Sequence, residues 1–367
     1  MKCLERPVWN RYTREELAKL TVKAPDKAVY KKVFHNWDTV AKPIDGLGRF
    51  ELLTARIGAI EGTENIDISQ KAVIIMCADN GIVEENISQS GQEVTLAVMK
   101  NMAEKKSSVG KMAKLVGADT IPVDIGVNHK DRIPGVLDRK ISLGTRNFRN
   151  GPAMTEEETI KAIFTGIEMV FACKENGYNI LATGEMGIGN TTTSSAVAAA
   201  LLGCDVSEVT GRGAGLSDEK LAHKQKIIAE SIDKYELKEA DALQILETVG
   251  GLDIAGLTGV CIGGALCRVP IVLDGVISMT AALLAERIVP GTKEYLIPSH
   301  KGKEPATEKL GKELGLEPVI DGNMALGEGT GAVMMFSLLD IALSVYQDRT
   351  TFSDSKIEQY ERFIHKW

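Results

Sequence analysis

The sequence has no excess of basic charge, no paired-cysteine motif and no long uninterrupted apolar run. Lys and Arg number 43 against 50 Asp and Glu, a net charge of −7, and the pI is near 5.5. Nucleic acid and anionic membrane both call for a basic face, so neither is expected as the main partner. An anionic metabolite is still allowed, because a pocket can be locally positive on an acidic protein. The cysteines are Cys3, Cys77, Cys173, Cys204, Cys261 and Cys267, and no two form a Cys-x-x-Cys pair. Several lie inside apolar runs, the setting of buried free thiols in a reducing compartment rather than of disulfides or metal ligands. His35, His129, His223, His300 and His365 also lack ligand spacing, so no metal site is expected. Residues 1–7 hold no apolar core of a secretory leader. The most apolar stretch, 259–285, is broken by Arg268, Pro270 and Asp274, too often to span a bilayer. These features lead us to expect a cytoplasmic protein. Repeats, low-complexity tracts and linkers rich in Pro or Ser are absent as well.

What is present is an ordinary globular balance, 44% hydrophobic and 25% charged over 367 residues, enough for one large core or two modest ones. The first fifty-odd residues read as helical segments, for example 14–23 and 48–61. Short apolar runs at 72–78, 120–125, 179–183, 269–273, 294–298 and 317–320 then alternate with helical patterns. Those patterns cover 92–104, 107–116, 156–175, 192–202, 218–234, 240–249, 254–267, 278–288 and 305–314. Thr155 before three glutamates and Ser217 before Asp-Glu are helix-start signals. Continuous apolar runs fit strands covered on both faces. The alternation predicts an α/β fold, a doubly wound and mostly parallel sheet of about six strands. The tail, 334–367, reads as helical and is expected to pack with the N-terminal helices as a small satellite domain. The expected division is therefore an α/β catalytic domain over 60–333 and a helical domain from 1–59 plus 334–367.

Glycines collect just after the apolar runs, in Asp79-Asn-Gly, Asp124-Ile-Gly, Thr183-Gly-Glu-Met-Gly-Ile-Gly, Asp274-Gly and Asp321-Gly. In an open parallel sheet, ligands bind beyond the carboxyl ends of the strands. Strand-to-helix turns alone account for one or two such loops, but less well for several in register.

Gly184-Glu-Met-Gly-Ile-Gly-Asn-Thr-Thr-Thr follows a strand and runs into an Ala-rich helix, a setting in which free N–H groups favour an anion. No Lys precedes the threonines, so it is not a Walker loop. Its spacing, G-x-x-G-x-G, is not the dinucleotide fingerprint. Glu185 is the odd member, because a carboxylate beside an anion is unfavourable unless it binds hydroxyls or a cation. In Leu326-Gly-Glu-Gly-Thr-Gly-Ala, Glu328 stands bare between glycines; it reads either as a group at a helix start or as a general acid–base. Thr210-Gly-Arg-Gly-Ala-Gly-Leu precedes a helix with His223 and Lys224. Arg212 and Lys224 supply positive charge for a phosphate, although a lone Lys also suits a solvated helix face. Ser88-Gln-Ser-Gly-Gln-Glu-Val-Thr, Gly144-Thr-Arg-Asn-Phe-Arg-Asn-Gly-Pro-Ala-Met-Thr and Leu273-Asp-Gly-Val-Ile-Ser are too polar for ordinary core.

Taken together, Gly184-Glu-Met-Gly-Ile-Gly-Asn-Thr-Thr, Gly144-Thr-Arg-Asn-Phe with Gly151-Pro-Ala-Met-Thr, Gly211-Arg-Gly-x-Gly-Leu, Leu326-Gly-Glu-Gly-Thr-Gly and Gln92-Glu-Val-Thr form a collinear series. The series resembles the nicotinate-nucleotide–dimethylbenzimidazole phosphoribosyltransferase family of cobalamin nucleotide-loop assembly. The resemblance runs from Gly46-Leu-Gly-Arg to Phe352. It implies transfer of ribose 5-phosphate from nicotinate mononucleotide to a lower-ligand base, with inversion at the anomeric carbon. It also implies a parallel α/β fold with a small helical domain, a homodimer, and no cofactor or metal.

Residue by residue, Glu328 matches the family's catalytic glutamate, and desolvation in an apolar base pocket would strengthen such a base. Glu185 is expected near the ribose, Lys224 near the phosphate, and Gly187, Gly189, Asn190, Thr191 and Gly329 around the nucleotide. Ser88, Gln89, Gln92 and Leu326 are expected at the acceptor base. The segment 87–94 lacks the aromatic that many members carry there, which leaves the base open to purine or phenolic alternatives. A dinucleotide-dependent oxidoreductase is disfavoured by the glycine spacing, and a non-catalytic nucleotide-binding protein by the bare Glu328.

Overall fold

The computed structural model describes residues 12–363; Cys3, His365 and the segment 1–7 lie outside the described residues. Near the start, α1 (Arg14–Ala18) ends well short of residue 23. Pro25 interrupts the chain, and Asp26 restarts it by accepting the N–H groups of Ala28 (2.8 Å) and Val29 (3.1 Å). The result is α2 (Lys27–Thr39), which apolar pattern had not singled out, followed by α3 (Arg49–Glu61).

The central sheet contains β1 (Lys71–Ala78), β2 (Ala118–Gly126), β3 (Leu137–Asp138), β4 (Ile180–Met186), β5 (Ile271–Leu273) and β6 (Leu296–Pro298). All neighbours pair in parallel, in the order β3-β2-β1-β4-β5-β6. Every residue of β1 is buried, as its Val- and Ile-rich run requires when both faces are covered. The chain winds outward through β3, returns to β4 and winds the other way, so the order reverses between β1 and β4.

The connecting helices are α4 (Glu93–Ala103), α5 (Ser108–Leu115), α6 (Glu156–Glu175), α7 (Asn190–Leu202), α8 (Asp218–Lys234), α9 (Ala242–Val249), α10 (Leu252–Cys267), α11 (Val276–Ile288), α12 (Ala306–Leu314) and α13 (Thr330–Gln347). Thr155 and Glu158 form the capping box of α6, reciprocal bonds that satisfy two free donors. One core packs α6, α7 and α9 to α11 against Ile74, Met76, Leu181 and Ile271. The apolar stretch that begins at Gly259 is the interior of this layer. A Cβ on Gly259 would lie 1.8 Å from the Ile163 carbonyl oxygen, so α10 can lie this close to α6 only with glycine there.

The opposite face of the sheet, with Val73, Ile75, Ile180 and Val272, packs against α2, α3, α5 and α13. Helices from both chain ends meet here: the Trp37 and Tyr346 rings are 5.2 Å apart, and Trp37 Nε1 donates to Thr54 Oγ1 at 2.9 Å.

Two further expectations require correction. The 317–320 run does not enter the main sheet. Its last residue opens β8 (Ile320–Met324), which pairs with β7 (His300–Gly302) as a separate parallel sheet, and the sixth place in the main sheet goes to β3. The tail is helical only as far as Gln347. Beyond it the backbone bonds to the end of α2, with Ala41 N–H donating to Thr350 O (2.9 Å) and Phe352 N–H to Thr39 O (3.1 Å). Arg362 then bridges Asp38 (2.6 Å) and Asp45 (2.7 Å) over the Phe34 ring. These bonds between distant segments replace the helical ones.

Candidate active site

The loops at the carboxyl edge of the sheet enclose a cavity of about 320 Å³, within the usual size for a small-molecule site. Its walls come from the segment after β1 (Ile87, Ser88, Gln89) and from the starts of four helices: α7 at Gly189–Thr191, α11 at Gly275–Ser278, α12 at Glu304 and Thr307, and α13 at Gly327 and Glu328. The first N–H groups of a helix have no partner inside it and carry partial positive charge. The ends of α7, α11 and α12, directed at one space, make it receptive to an anion, whereas the first N–H groups of α13 are taken up by Asp274. Ser278 and Thr307 also line the cavity, each 1% exposed, and their buried hydroxyls have no hydrogen-bond partner among the described residues.

Lys224, fully buried on α8, reaches the wall from behind. Its ammonium donates to Thr191 Oγ1 at 3.1 Å and to Gly211 O at 3.4 Å. Burial lowers its pKa to about 8, while the charge of Glu304 pulls it upward. Lys224 is thus an interior cation under the cavity rather than part of a solvated helix face. Arg212 also lines the cavity, but its guanidinium is engaged: it pairs with Asp218 and donates to Leu216 O at 2.9 Å, which closes its own loop. Glu304 accepts the Gly213 N–H at 2.9 Å, and Gln89 donates to Gly215 O, so the 211–216 loop is tied down on two sides.

On the floor, the Asn190 side chain donates to both Glu185 and Asp253, the latter at 3.0 Å. Burial, with the nearby charges of Asp253 and Asp274, lifts the Glu185 carboxyl to about 8. Burial lifts Asp253 to about 6, held back by the Asn190 hydrogen bond. Glu185 therefore carries a proton near neutrality, which removes the objection to a carboxylate beside an anion site.

Glu328 adopts φ +61°, between Gly327 at +81° and Gly329 at +96°. A run of left-handed backbone favours glycine on either side, and it presents the one side chain to the cavity. The carboxylate accepts the Val109 N–H at 3.0 Å, in the first turn of α5. Leu326, 56% exposed, Ser88 and Gln89 form the adjoining wall. No Phe, Tyr or Trp lines the cavity among the described residues.

Of the residues expected at the site, Ser88, Gln89, Glu185, Gly187, Gly189, Asn190, Thr191, Leu326 and Glu328 line this one cavity. Lys224 touches it through Thr191. Gly329 lies just behind, its N–H on Asp274. Gln92 turns away, donating to Asn80 O (3.4 Å) and accepting from Asn128 (3.3 Å). Sequence reasoning did not assign Asp253, Asp274, Ser278, Thr307 or the start of α5. Asp274 and Ser278 sit in the polar Leu273-Asp-Gly-Val-Ile-Ser segment, which was a signal; Asp253 and Val109 are brought in by long-range packing.

A family model described as DBI_PRT, phosphoribosyltransferase, matches residues 22–357. The chain is 46% identical over 324 residues to the nicotinate-nucleotide–dimethylbenzimidazole phosphoribosyltransferase of Acetivibrio thermocellus, covering 88% of this chain and 92% of that one. It is 43% identical over 336 residues to the protein of the same name from Clostridium acetobutylicum, covering 92% and 96%. Among solved structures, CobT from Thermus thermophilus superposes with a TM-score of 0.86 at 33% identity, covering 91% of this chain and all of that one.

Anion binding in this cavity is expected to weaken as pH rises through about 8, where Lys224 loses its proton. Sulfate is a suitable probe because its own charge stays constant, and calorimetric titration above and below that pH measures the effect. Lys224→Ala should bind roughly 10- to 100-fold more weakly at the lower pH, the scale of a lost charge-assisted hydrogen bond, and should keep only the part of the pH dependence that Glu185, lifted to about 8 as well, supplies. Unchanged affinity in the variant would remove Lys224 from the anion site.

Proposed function

The chain belongs to the DBI_PRT family of phosphoribosyltransferases, and on that premise we propose how this cavity moves ribose 5-phosphate from nicotinate mononucleotide to a lower-ligand base such as 5,6-dimethylbenzimidazole. The products are α-ribazole 5′-phosphate and nicotinate. The donor phosphate sits where the starts of α7, α11 and α12 converge, over Lys224, with the Ser278 and Thr307 hydroxyls as additional donors. Glu185, protonated near neutrality, meets the ribose hydroxyls without repelling the phosphate. Gly187, Gly189, Asn190 and Thr191 line the nucleotide side, with Gly329 behind it.

The acceptor base lies against Leu326, Ser88 and Gln89, within reach of Glu328. One ring nitrogen of the base attacks the anomeric carbon while its other N–H gives a proton to Glu328. The bond to nicotinate breaks, and its electron pair returns to the pyridinium nitrogen, so the leaving group needs no acid. Attack on the face opposite the leaving group inverts the anomeric carbon. No cofactor or metal takes part in these steps. The observation that carries the reading is a single cavity with the Glu328 carboxylate, held by the Val109 N–H, at one end and a buried cation under converging helix starts at the other.

The same reading includes a homodimer in the cytoplasm and the division into an α/β unit (60–333) and helices from both chain ends. Met334, Ile341 and Val345, respectively 42%, 64% and 39% exposed, lie along the outer face of α13 at helical spacing. By length and composition α13 could cross a membrane, but 56% of it is buried, against the sheet, and a second copy of the chain accounts for the exposed apolar stripe.

Glu328→Gln is expected to lower turnover about 10²–10⁴-fold, the usual loss for a positioned base, while nicotinate mononucleotide still binds in a calorimetric titration. Near-normal turnover would defeat the assignment. Ile341→Asp should shift the protein from dimer to monomer in sedimentation velocity; a monomeric parent protein would end the dimer proposal. With no aromatic ring in the wall, a stacking contact of about 0.5–1.5 kcal/mol is missing, and methyl contacts discriminate by only about 1–3 kcal/mol. Equimolar competition should therefore yield products from dimethylbenzimidazole, benzimidazole and purine or phenolic bases. A preference beyond about a hundredfold for dimethylbenzimidazole, more than those contacts supply, would contradict a broad acceptor range.

A further inference from the structure

We infer that Asp274 is a positioning residue for the transfer, a buried carboxylate that holds Glu328 in the turn from which it reaches the acceptor base. The inference rests on the proposal that Glu328 is the base.

The turn at Glu328 needs an external support. Gly327, Glu328 and Gly329 are all left-handed, a conformation a non-glycine residue keeps only when its surroundings enforce it. The helix that follows has Gly329 at its N-cap, which offers no side chain to accept the first N–H groups. Local bonds contribute little: Thr330 gives its N–H (3.0 Å) and its hydroxyl (2.8 Å) to Gly327 O. The remaining donors go to Asp274. Its Oδ2 accepts the Gly329 N–H at 3.1 Å, and its Oδ1 accepts those of Gly331 at 2.8 Å and Ala332 at 3.3 Å. One carboxylate from another strand thus does the work of an N-cap, directly after the catalytic position.

Asp274 can do this because it is itself fixed. It follows the last residue of β5, is 2% exposed, and gives its N–H to Thr183 Oγ1 at 3.2 Å. Thr183 belongs to β4, so the sheet itself anchors the support. His300 Nδ1 lies 3.9 Å from Asp274 Oδ1 and 3.0 Å from Ser299 Oγ, closing the remaining side. From the floor, the turn lies directly against the end of β4: a Cβ on Gly184 would sit 2.6 Å from Glu328 O, and one on Gly327 would sit 2.5 Å from Glu185 Oε1. Glu328 is therefore referenced to the sheet through Asp274 and to the donor side through Glu185. A displacement of about 1 Å in a reacting group costs on the order of a hundredfold in rate, so this support bears on turnover as well as on stability.

The test is a double-mutant cycle. Asp274→Asn keeps one oxygen acceptor but sets an amide against the Gly329 N–H; it should lower kcat about 10- to 100-fold and leave KM for nicotinate mononucleotide nearly unchanged. Asp274→Ala should lose more. In a Glu328→Gln background, the same substitutions should change the residual rate by less than about twofold, because coupled residues are not additive. Thr183→Val, which loosens Asp274 without touching the turn, should give a smaller kcat loss that also disappears in that background, and it decides the matter if the Asp274 variants fail to fold. Additive losses, or an effect confined to KM, would overturn the role of Asp274 and leave Glu328 in place. Normal turnover by Glu328→Gln alone would overturn both.

Discussion

The starts of α7, α11 and α12 face the same cavity at the carboxyl edge of the sheet, and the rest of the site follows from that arrangement. A helix start is a fixed donor that cannot be titrated or turned away. Placing several around one space creates an anion site from backbone alone, with side chains needed only to complete it. Lys224 contributes from below and keeps its charge at neutral pH because its pKa, although lowered by burial, is still about 8. The acidic net charge of the chain is no obstacle, since the local field is set by these dipoles at close range.

The same arrangement explains how acidic groups coexist with an anion. Glu185 and Asp253 share the Asn190 amide, and burial pushes Glu185 up to about 8 and Asp253 to about 6. Desolvation thus leaves the group nearer the ligand uncharged and able to donate. Asp274, in contrast, faces three backbone N–H groups, a setting that compensates a buried carboxylate. Each acidic residue on this floor has a different partner set, and so a different job.

The parts of this site that could be read in the sequence were local ones. Glycine loops ending apolar runs mark the carboxyl edge because backbone must turn tightly and approach a ligand closely there. Gly184-Glu-Met-Gly-Ile-Gly and Leu326-Gly-Glu-Gly-Thr-Gly both reach the cavity for that reason. Parts set by long-range pairing were not legible. The Glu317-Pro-Val-Ile run is as apolar as a core strand, but its partner is β7, and the two-residue β3 joins the main sheet through backbone bonds its sequence does not advertise. Gln92 sits one turn from the acceptor loop in sequence, yet its amide is taken up by Asn80 and Asn128. The 348–363 segment has no strong helix breaker, and only the bonds to α2 and the Arg362 clasp draw it out of the helix.

The two ends of the cavity are built to different tolerances. In the proposed function, helix starts, a buried ammonium and enclosed hydroxyls form the donor end. The proposed acceptor end is bounded by the exposed Leu326 and Gln89 and by the small Ser88, and Gln89 is held by a single bond to the Gly215 carbonyl. Binding energy from a non-reacting part of a substrate can be used to orient the reacting part, and in the proposed function that part is the phosphate. Its anchor fixes the anomeric carbon relative to Glu328, whose turn is referenced to the same sheet. An acceptor then needs only a nucleophilic ring nitrogen or phenolic oxygen within reach of that carbon and a proton that Glu328 can accept. On this reading, fidelity to the donor and tolerance of the acceptor follow from the same structural division between enclosed helix starts and an exposed loop wall.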